Sequence, residues 1–299
     1  MSKKHPVVVI TGSSGAGTTT VQKALEAIFF RQKINSVVIE GDSFHRYDRT
    51  TMQIKMDEAT RAGINFSHFG SDANQFKALE QLFKTYGETG GGRKRYYLHS
   101  DKEAAMHNSR LKVDLEAGQF TSWEDIQPGT DLLFYEGLHG LVKTESVDMT
   151  QFVDLKVGVV PVVNLEWIQK IHRDSAERGY SEEVIVENIL RRMPDYVKYI
   201  TPQFSETDIN FQRVATVDTS NPFIARAIPT LDESFVVIRF RNPDIRNTDF
   251  ANLLSLIEGS FMSRRNTIVV PGGKMGLSME IIFAPIIADI MKKRDAADR

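Results

Sequence analysis

The sequence predicts an α/β fold, a mainly parallel sheet flanked by helices, and three observations predict it. Short β-branched runs recur along the chain, amphipathic helical patterns separate them, and the first run opens through a glycine-rich turn into the first helix. Alternation of this kind lays strands side by side in parallel with helices packed on the faces. No segment has the composition of a domain linker, so residues 1–299 are expected to form a single domain with insertions.

The elements follow in order. "VVVIT" (Val7 to Thr11) is a continuous apolar run, the pattern of a strand buried on both faces. After the turn "GSSGAG", residues Val21, Ala24, Leu25, Ile28 and Phe29 fall on one helix face. "SVVIE" (Ser36 to Glu40) is the second strand, and Asn74 to Tyr86 a helix with Phe76, Leu79, Leu82 and Phe83 inward. Tyr86 to Arg95 and Asp125 to Asp131 read as loops around the strands "DLLFYE" (Asp131 to Glu136) and "DLKVGVV" (Asp154 to Val160). A helix is expected from near Leu165 to Gly179, and another from the N-cap Ser181 to Met193, stopped by Pro194. The stretch from Thr201 to Pro229 is less regular and reads as a subdomain or an assembly surface. Strands at Ser234 to Phe240 and Asn266 to Val270 and a helix from Met279 to Met291 complete the pattern.

Composition narrows the function. The net charge of −2 argues against a protein that coats nucleic acid or an anionic membrane. The absence of cysteine removes disulfides, thiolate metal sites, cysteine nucleophiles and thiol switches. No signal sequence opens the chain and no apolar run approaches the roughly 20 residues that span a bilayer, so a cytoplasmic location is expected.

The chemistry concentrates in three places. Gly12, Ser13, Ser14, Gly15, Ala16, Gly17, Thr18, Thr19 and Thr20 follow the phosphate-loop pattern G-x-x-x-x-G-K-[ST], except that Thr18 stands where the lysine belongs. A strand, a glycine turn and a helix N-terminus point amide groups at phosphate oxygens whether or not the lysine is present. The missing charge must then come from elsewhere in the chain. The second place is the strand ends, where open parallel sheets bind ligands. "EGDSFHRYDR" carries Asp42, with His45 and Arg49 at +3 and +7, and Glu136 ends an apolar strand as a Walker-B carboxylate does. A carboxylate can take a hydroxyl proton while neighbouring cations hold an anionic substrate. The third is the basic helix from Leu165 to Met193, where Lys170, Asp174 and Arg178 share one face and Arg173, Arg191 and Arg192 add charge. Such a helix is either a solvated surface helix or a lid over a triphosphate. As a lid it would supply the charge missing at Thr18, with Lys170 the leading candidate.

These pieces, together with "FSHFG", "LLFYEGLHG", "GVVPVVNLEWIQKIHRD", "PQFS", "VDTSNPFIAR" and "NTIVVPGGK", resemble the bacterial-type phosphoribulokinases along essentially the whole chain. The resemblance implies a nucleoside-monophosphate-kinase-like P-loop fold with a basic helical lid and a few added strands. It implies phosphorylation of O1 of D-ribulose 5-phosphate by MgATP in the Calvin cycle. By the same resemblance, Asp42 is the catalytic base, Glu136 the Walker-B carboxylate, and Lys170 serves the phosphoryl group. Thr19, Asp42 and Glu136 would be donors to Mg²⁺. His45, Arg49, Tyr97, His99, Arg173, Asp174 and Arg178 would line the sugar-phosphate site. The resemblance further implies a homo-oligomer, commonly an octamer, activated by NADH, with Arg31, Arg239 and Arg264 serving that control. One position departs from the family pattern: Gln53 stands where a substrate-side lysine is usual, with Lys55 two residues on as a substitute if that segment is irregular. Two rival readings are a uridine or pantothenate kinase of the same fold and a nucleotide-sensing module without turnover.

Overall fold

The structure is a computed structural model that describes residues 4–13, 18–225, 227–246 and 248–297. In chain order its elements are β1 (Val7–Gly12), α1 (Thr18–Arg31), β2 (Ser36–Glu40), α2 (Arg49–Ala62), α3 (Phe76–Thr89), β3 (Arg93–Lys94), α4 (Asp101–Leu111), β4 (Glu124–Asp125) and β5 (Leu132–Gly137). They continue with β6 (Leu155–Val159), α5 (Val163–Arg178), α6 (Glu182–Asp195), β7 (Ile209–Ala215), β8 (Ser234–Phe240), α7 (Phe250–Leu256), β9 (Phe261–Arg264), β10 (Thr267–Pro271) and α8 (Met275–Ala297). Eight strands form one sheet in the order β2-β5-β1-β6-β7-β8-β10-β9. Neighbours from β2 to β7 are parallel, and β8, β10 and β9 extend the sheet antiparallel, which are the added strands.

The period-2 alternation of the central strands explains why both faces are covered. Val8 and Ile10 of β1, with Leu132 and Phe134 of β5, pack under α1 and α8. Val7 and Val9, with Leu133 and Tyr135, pack under α3 on the other face. Each fully buried aliphatic side chain contributes roughly 1.5–3 kcal/mol, so the apolar run of β1 belongs at the centre of the sheet. Among the described residues no helix is long and apolar enough to cross a membrane.

Three expectations need correction. The stretch after Thr201 is not irregular throughout: β7 joins β6 to the antiparallel extension, and its outer half is only partly buried. Pro194 does not stop its helix but lies inside α6, and the chain runs on through a π turn over Tyr196–Ile200. Proline removes one intrahelical donor, yet the Tyr196 amide still reaches the carbonyls of Arg192 and Met193. Burial of Tyr196 and Ile200 beside Phe69 holds the continuation in place. Finally, the segment after Arg49 is a regular helix, in which Lys55 pairs with Glu58 at 2.9 Å. That geometry denies Lys55 the substitute role for Gln53.

Candidate active site

The carboxyl ends of β1, β2 and β5 bring the sequence motifs to one edge of the sheet. Glu40 of β2 and Ile10 of β1 both lie opposite Glu136 of β5. Gly41 follows β2 and Gly137 ends β5, and a Cβ built on Gly137 would stand 2.7 Å from the Gly41 Cα. Only glycine at both positions lets the backbones approach this closely.

On the phosphate side, Gly12 ends β1, where a Cβ would meet Thr18 Cγ2 and the Val159 carbonyl oxygen, each at 2.8 Å. Ser14, Gly15, Ala16 and Gly17 lie outside the described residues, as do the side chains of Thr19 and Arg178. Thr18 opens α1 and is buried on the side of the Glu136 carboxylate, whose pKa it acts to lower, and Thr20 is exposed. The position of the missing lysine is therefore turned toward the strand-end carboxylate. Burial pushes Glu136 up to about 7, with the Thr18 hydroxyl pulling the other way and Asp42 and Glu40 adding repulsion. Ser13 is fully buried and donates to the Glu166 carboxylate at the start of α5, which Tyr196 also reaches at 3.3 Å. The buried amide of Gln203 accepts from Thr11 at 3.0 Å and from the Leu141 amide at 2.9 Å, tying the base of the loop to the chain after β5.

The acceptor side is built from side chains. Asp42 sits on the 3₁₀ turn Gly41–Phe44, with its side chain 40% exposed, so one flank of the carboxylate is open. Oδ1 lies 3.1 Å from His45 Nε2, and Oδ2 lies 3.9 Å from His99 Nε2. Burial alone would raise the pKa of Asp42, but His45, then His99 and His68, hold it well below the usual carboxylate range. The tautomer of His45 follows from its neighbour. Asn74 Nδ2 donates to the carbonyls of His68 and Gly70 at 2.8 and 2.7 Å, leaving Oδ1 to accept from His45 Nδ1–H at 2.7 Å. Burial pulls the His45 pKa down, but Asp42 and Asn74 outweigh it and the net direction is up. Asp42 and His45 thus favour each other's charged forms.

Arg49 opens α2 and donates to the His99 carbonyl at 3.0 Å, with Tyr97 as a further partner. The Tyr97 and His99 rings meet edge to face at 4.9 Å. The structure therefore brings Asp42, His45, Arg49, Tyr97 and His99 together as one wall. Gln53 lies one turn beyond Arg49, donating to Asp57 at 2.9 Å.

Along α5, Glu166, Lys170 and Asp174 form a buried polar seam at four-residue spacing. Lys170 Nζ lies 2.5 Å from Asp174 Oδ2, and Arg173 reaches Asp174 Oδ1 at 3.0 Å. Burial pushes Lys170 down to about 8, with Arg192 acting the same way; Asp174 pulls back without prevailing. The electrostatic reach of Arg192 extends from Lys170 and Glu166 to His45 and His68.

The donor set suits a hard cation. Oxygen ligands predominate at the strand ends, and Glu40, Asp42 and Glu136 repel one another. Among the described residues no group of three or more His, Asp or Glu is arranged to hold a metal alone.

The residues expected to serve control lie elsewhere. Arg31 pairs with Glu280 of α8 at 2.8 Å. Arg239 and Arg264 are exposed on β8 and β9, both opposite Thr267 of β10. Sequence reasoning missed His68, Asn74 and Arg95 as parts of the site. "FSHFG" was the only local signal for the first, and the other two acquire their roles through contacts distant in sequence.

With this geometry in hand, comparison with known proteins is specific. The sequence model of the phosphoribulokinase/uridine kinase family matches residues 7–220. The chain is 59% identical to the chromosomal phosphoribulokinase of Cupriavidus necator over 298 residues, covering 99% of both chains. It is 57% identical to the phosphoribulokinase of Xanthobacter flavus, covering 99% of this chain and 100% of that one. The solved phosphoribulokinase from Rhodobacter spheroides is 53% identical, covers 98% of this chain and 100% of its own, and superposes with a TM-score of 0.88.

Proposed function

This chain belongs to the phosphoribulokinase/uridine kinase family, and from that premise we propose that it transfers the γ-phosphoryl group of ATP to O1 of D-ribulose 5-phosphate. The observation that carries the reading is the open carboxylate of Asp42, paired with His45 at 3.1 Å and set beside the P-loop edge. Relatives named phosphoribulokinase match nearly the whole chain, which favours a phosphorylated sugar over uridine or pantothenate as acceptor.

In this mechanism Asp42 orients and then deprotonates the attacking hydroxyl. Its depressed pKa is compatible with that task, because the transition state is loose and the hydroxyl becomes acidic only as its bond to phosphorus forms. Positioning and charge neutralisation matter more here than basicity. His45, Arg49, Tyr97 and His99 hold the sugar phosphate, joined by Arg173 and Arg178 from α5. Lys170 meets the transferring group, supplying the charge that a P-loop lysine would bring, and Asp174 orients it. Glu136, Thr19 and Asp42 are the groups that would hold Mg²⁺, which when bound neutralises the phosphate oxygens. The segment 165–193 acts as a lid, excluding water so that ATP is not hydrolysed idly.

A homo-oligomer activated by NADH through Arg31, Arg239 and Arg264 completes the reading. Light scattering measures the oligomer, and velocity with and without NADH measures the control. The deciding experiment is coupled ADP release with ribulose 5-phosphate, with uridine, and with no acceptor. Release with the sugar phosphate alone is expected. Stimulation by uridine, or no release with any acceptor, overturns the proposal.

A further inference from the structure

Arg95 is not part of the wall just described, yet it touches the turn that carries Asp42 and His45. Its Nε donates to the Ser43 carbonyl at 2.8 Å and its Nη2 to the His45 carbonyl at 2.6 Å. These two carbonyls flank Phe44, so the guanidinium spans the exit of the 3₁₀ turn like a fork. The same group lies 3.7 Å from the Phe120 ring centroid and 4.7 Å from that of Trp123. Trp123 in turn packs edge to face on Phe44 at 5.4 Å, and Phe44 is buried in the core. Among the described residues Arg95 forms no ion pair, so its charge is spent on two backbone carbonyls and two aromatic faces. Burial pushes its pKa down to about 10, which leaves it cationic at neutral pH.

The chain on either side explains why this matters. Arg95 and Tyr97 both contact the Phe120 ring, and Tyr97 contacts His99. Tyr96 packs on His107 instead, and Leu98 is fully buried. The extended segment therefore shows Arg95, Tyr97 and His99 on one side. That segment reaches the Asp42 turn from more than 50 residues away in sequence. Between Arg93 and Gln119 it is braced by the β3–β4 pair and by the Leu98 amide bond to the Gln119 carbonyl. Nothing else seen in this segment grips the turn by its backbone on both sides of Phe44.

We propose that Arg95 is a positioning residue: it sets the register between the segment bearing Tyr97 and His99 and the turn bearing Asp42 and His45. The inference rests on the assignment of Asp42 as the base. Asp42 Oδ1 and Oδ2 are divided between His45 and His99, one from each partner of this register. A slip between the two segments moves the His99 imidazole relative to the Asp42 carboxylate. Lysine cannot replace the fork, because an ammonium neither spans two carbonyls in a plane nor stacks between two rings.

The test compares Arg95→Lys, Arg95→Met and Arg95→Ala. The Lys and Met variants are expected to lose about 30- to 100-fold in kcat, the scale of an ångström-sized misplacement. Their KM for ATP stays within about twofold, because only a transition-state interaction is lost. Added guanidinium restores turnover to Arg95→Ala, and added methylammonium does not. Amide exchange in peptides spanning Gly41–Arg46 accelerates in the variants while α1 is unchanged. Wild-type kcat in Arg95→Lys, equal losses in kcat and ATP affinity, or rescue by methylammonium overturns the inference. Should Arg95→Met fail to fold, the Lys variant decides. Should the wild-type protein leave ribulose 5-phosphate unphosphorylated, the functional reading fails, and the amide exchange still shows whether Arg95 holds the turn.

Discussion

The two sides of the site are built from different materials. Among the described residues the phosphate side is the end of β1 and the start of α1, where a Cβ on Gly12 would stand 2.8 Å from Thr18 and from the Val159 carbonyl oxygen. Thr18 stands in the lysine position, buried, where it acts to lower the Glu136 pKa. The acceptor side has no such backbone framework. Asp42, His45, Arg49, Tyr97 and His99 arrive from three separate segments and meet through side chains. Backbone recognition tolerates substitution wherever a new side chain has room, whereas side-chain recognition has a single point of failure at each residue.

The largest expected break in this contrast is Asp42→Asn. It keeps the shape of the turn and removes the proton acceptor, so kcat should fall on the order of 10³-fold or more. The KM for ATP should be nearly unchanged, because the asparagine oxygen keeps the contacts to His45 and His99 and can still serve as an oxygen donor to Mg²⁺. Single-turnover kinetics measure both quantities, and near-normal turnover would refute the base assignment. On the phosphate side the comparable break is steric. Gly12→Ala forces a methyl group against the Val159 carbonyl and should cost about 100-fold in kcat/KM for ATP. Thr18→Ser, which keeps the hydroxyl, should cost little. Equal losses in the two variants would show that the loop depends on the Thr18 side chain more than on its backbone.

This contrast also decided what could be read from sequence. The phosphate side was legible because glycine spacing, an apolar strand and a 3.6-residue helix stripe are all local signals. Asp42, His45 and Arg49 were legible because they fall within one decade of the chain. Asn74 and Arg95 were not, because an amide that fixes a tautomer and a guanidinium that holds two carbonyls are defined by partners 29 and 50 residues away. The fold shows the same division. The central strands declared themselves by burial on both faces, while β7, with Gln212 and Arg213 in its half-buried part, read as irregular. Helix α2 buries only Met52 and carries no apolar stripe to betray it. Pro194 misled for a related reason, since the burial of Tyr196 and Ile200 that overrides it is tertiary.

A smaller effect probes the element between the two sides. Lys170 is the cation proposed to substitute for the loop lysine, and burial lowers its pKa to about 8. The cationic form is lost as pH rises through that value, so turnover should fall about fivefold between pH 8 and 9. Stability should move the opposite way. Between about 8 and the ordinary value of 10.5 the unfolded chain binds the extra proton, so this group's contribution to unfolding free energy rises with pH. A decline in activity without a matching decline in melting temperature separates titration of Lys170 from unfolding. Asp174→Asn removes the partner at 2.5 Å and should move the activity limb to lower pH. An unmoved limb would assign it to another group.

The smallest expected effect is on the acceptor side, at Gln53. This residue lies one helical turn beyond Arg49 on α2 and donates to Asp57 at 2.9 Å, while Lys55 is turned away toward Glu58. The helix is capped by Asp48, which accepts from the Thr51 amide at 2.7 Å, so the face presented by Arg49 and Gln53 is fixed. Gln53→Lys adds a cation on that face, where an exposed charge is screened and contributes on the order of 1 kcal/mol or less. The KM for ribulose 5-phosphate should therefore fall about threefold, with kcat and the KM for ATP unchanged. The gain should shrink as ionic strength rises, since a surface charge acts over no more than a Debye length. An unchanged KM at low salt would show that this face of α2 does not look onto the sugar phosphate, and the acceptor wall would then end at Arg49.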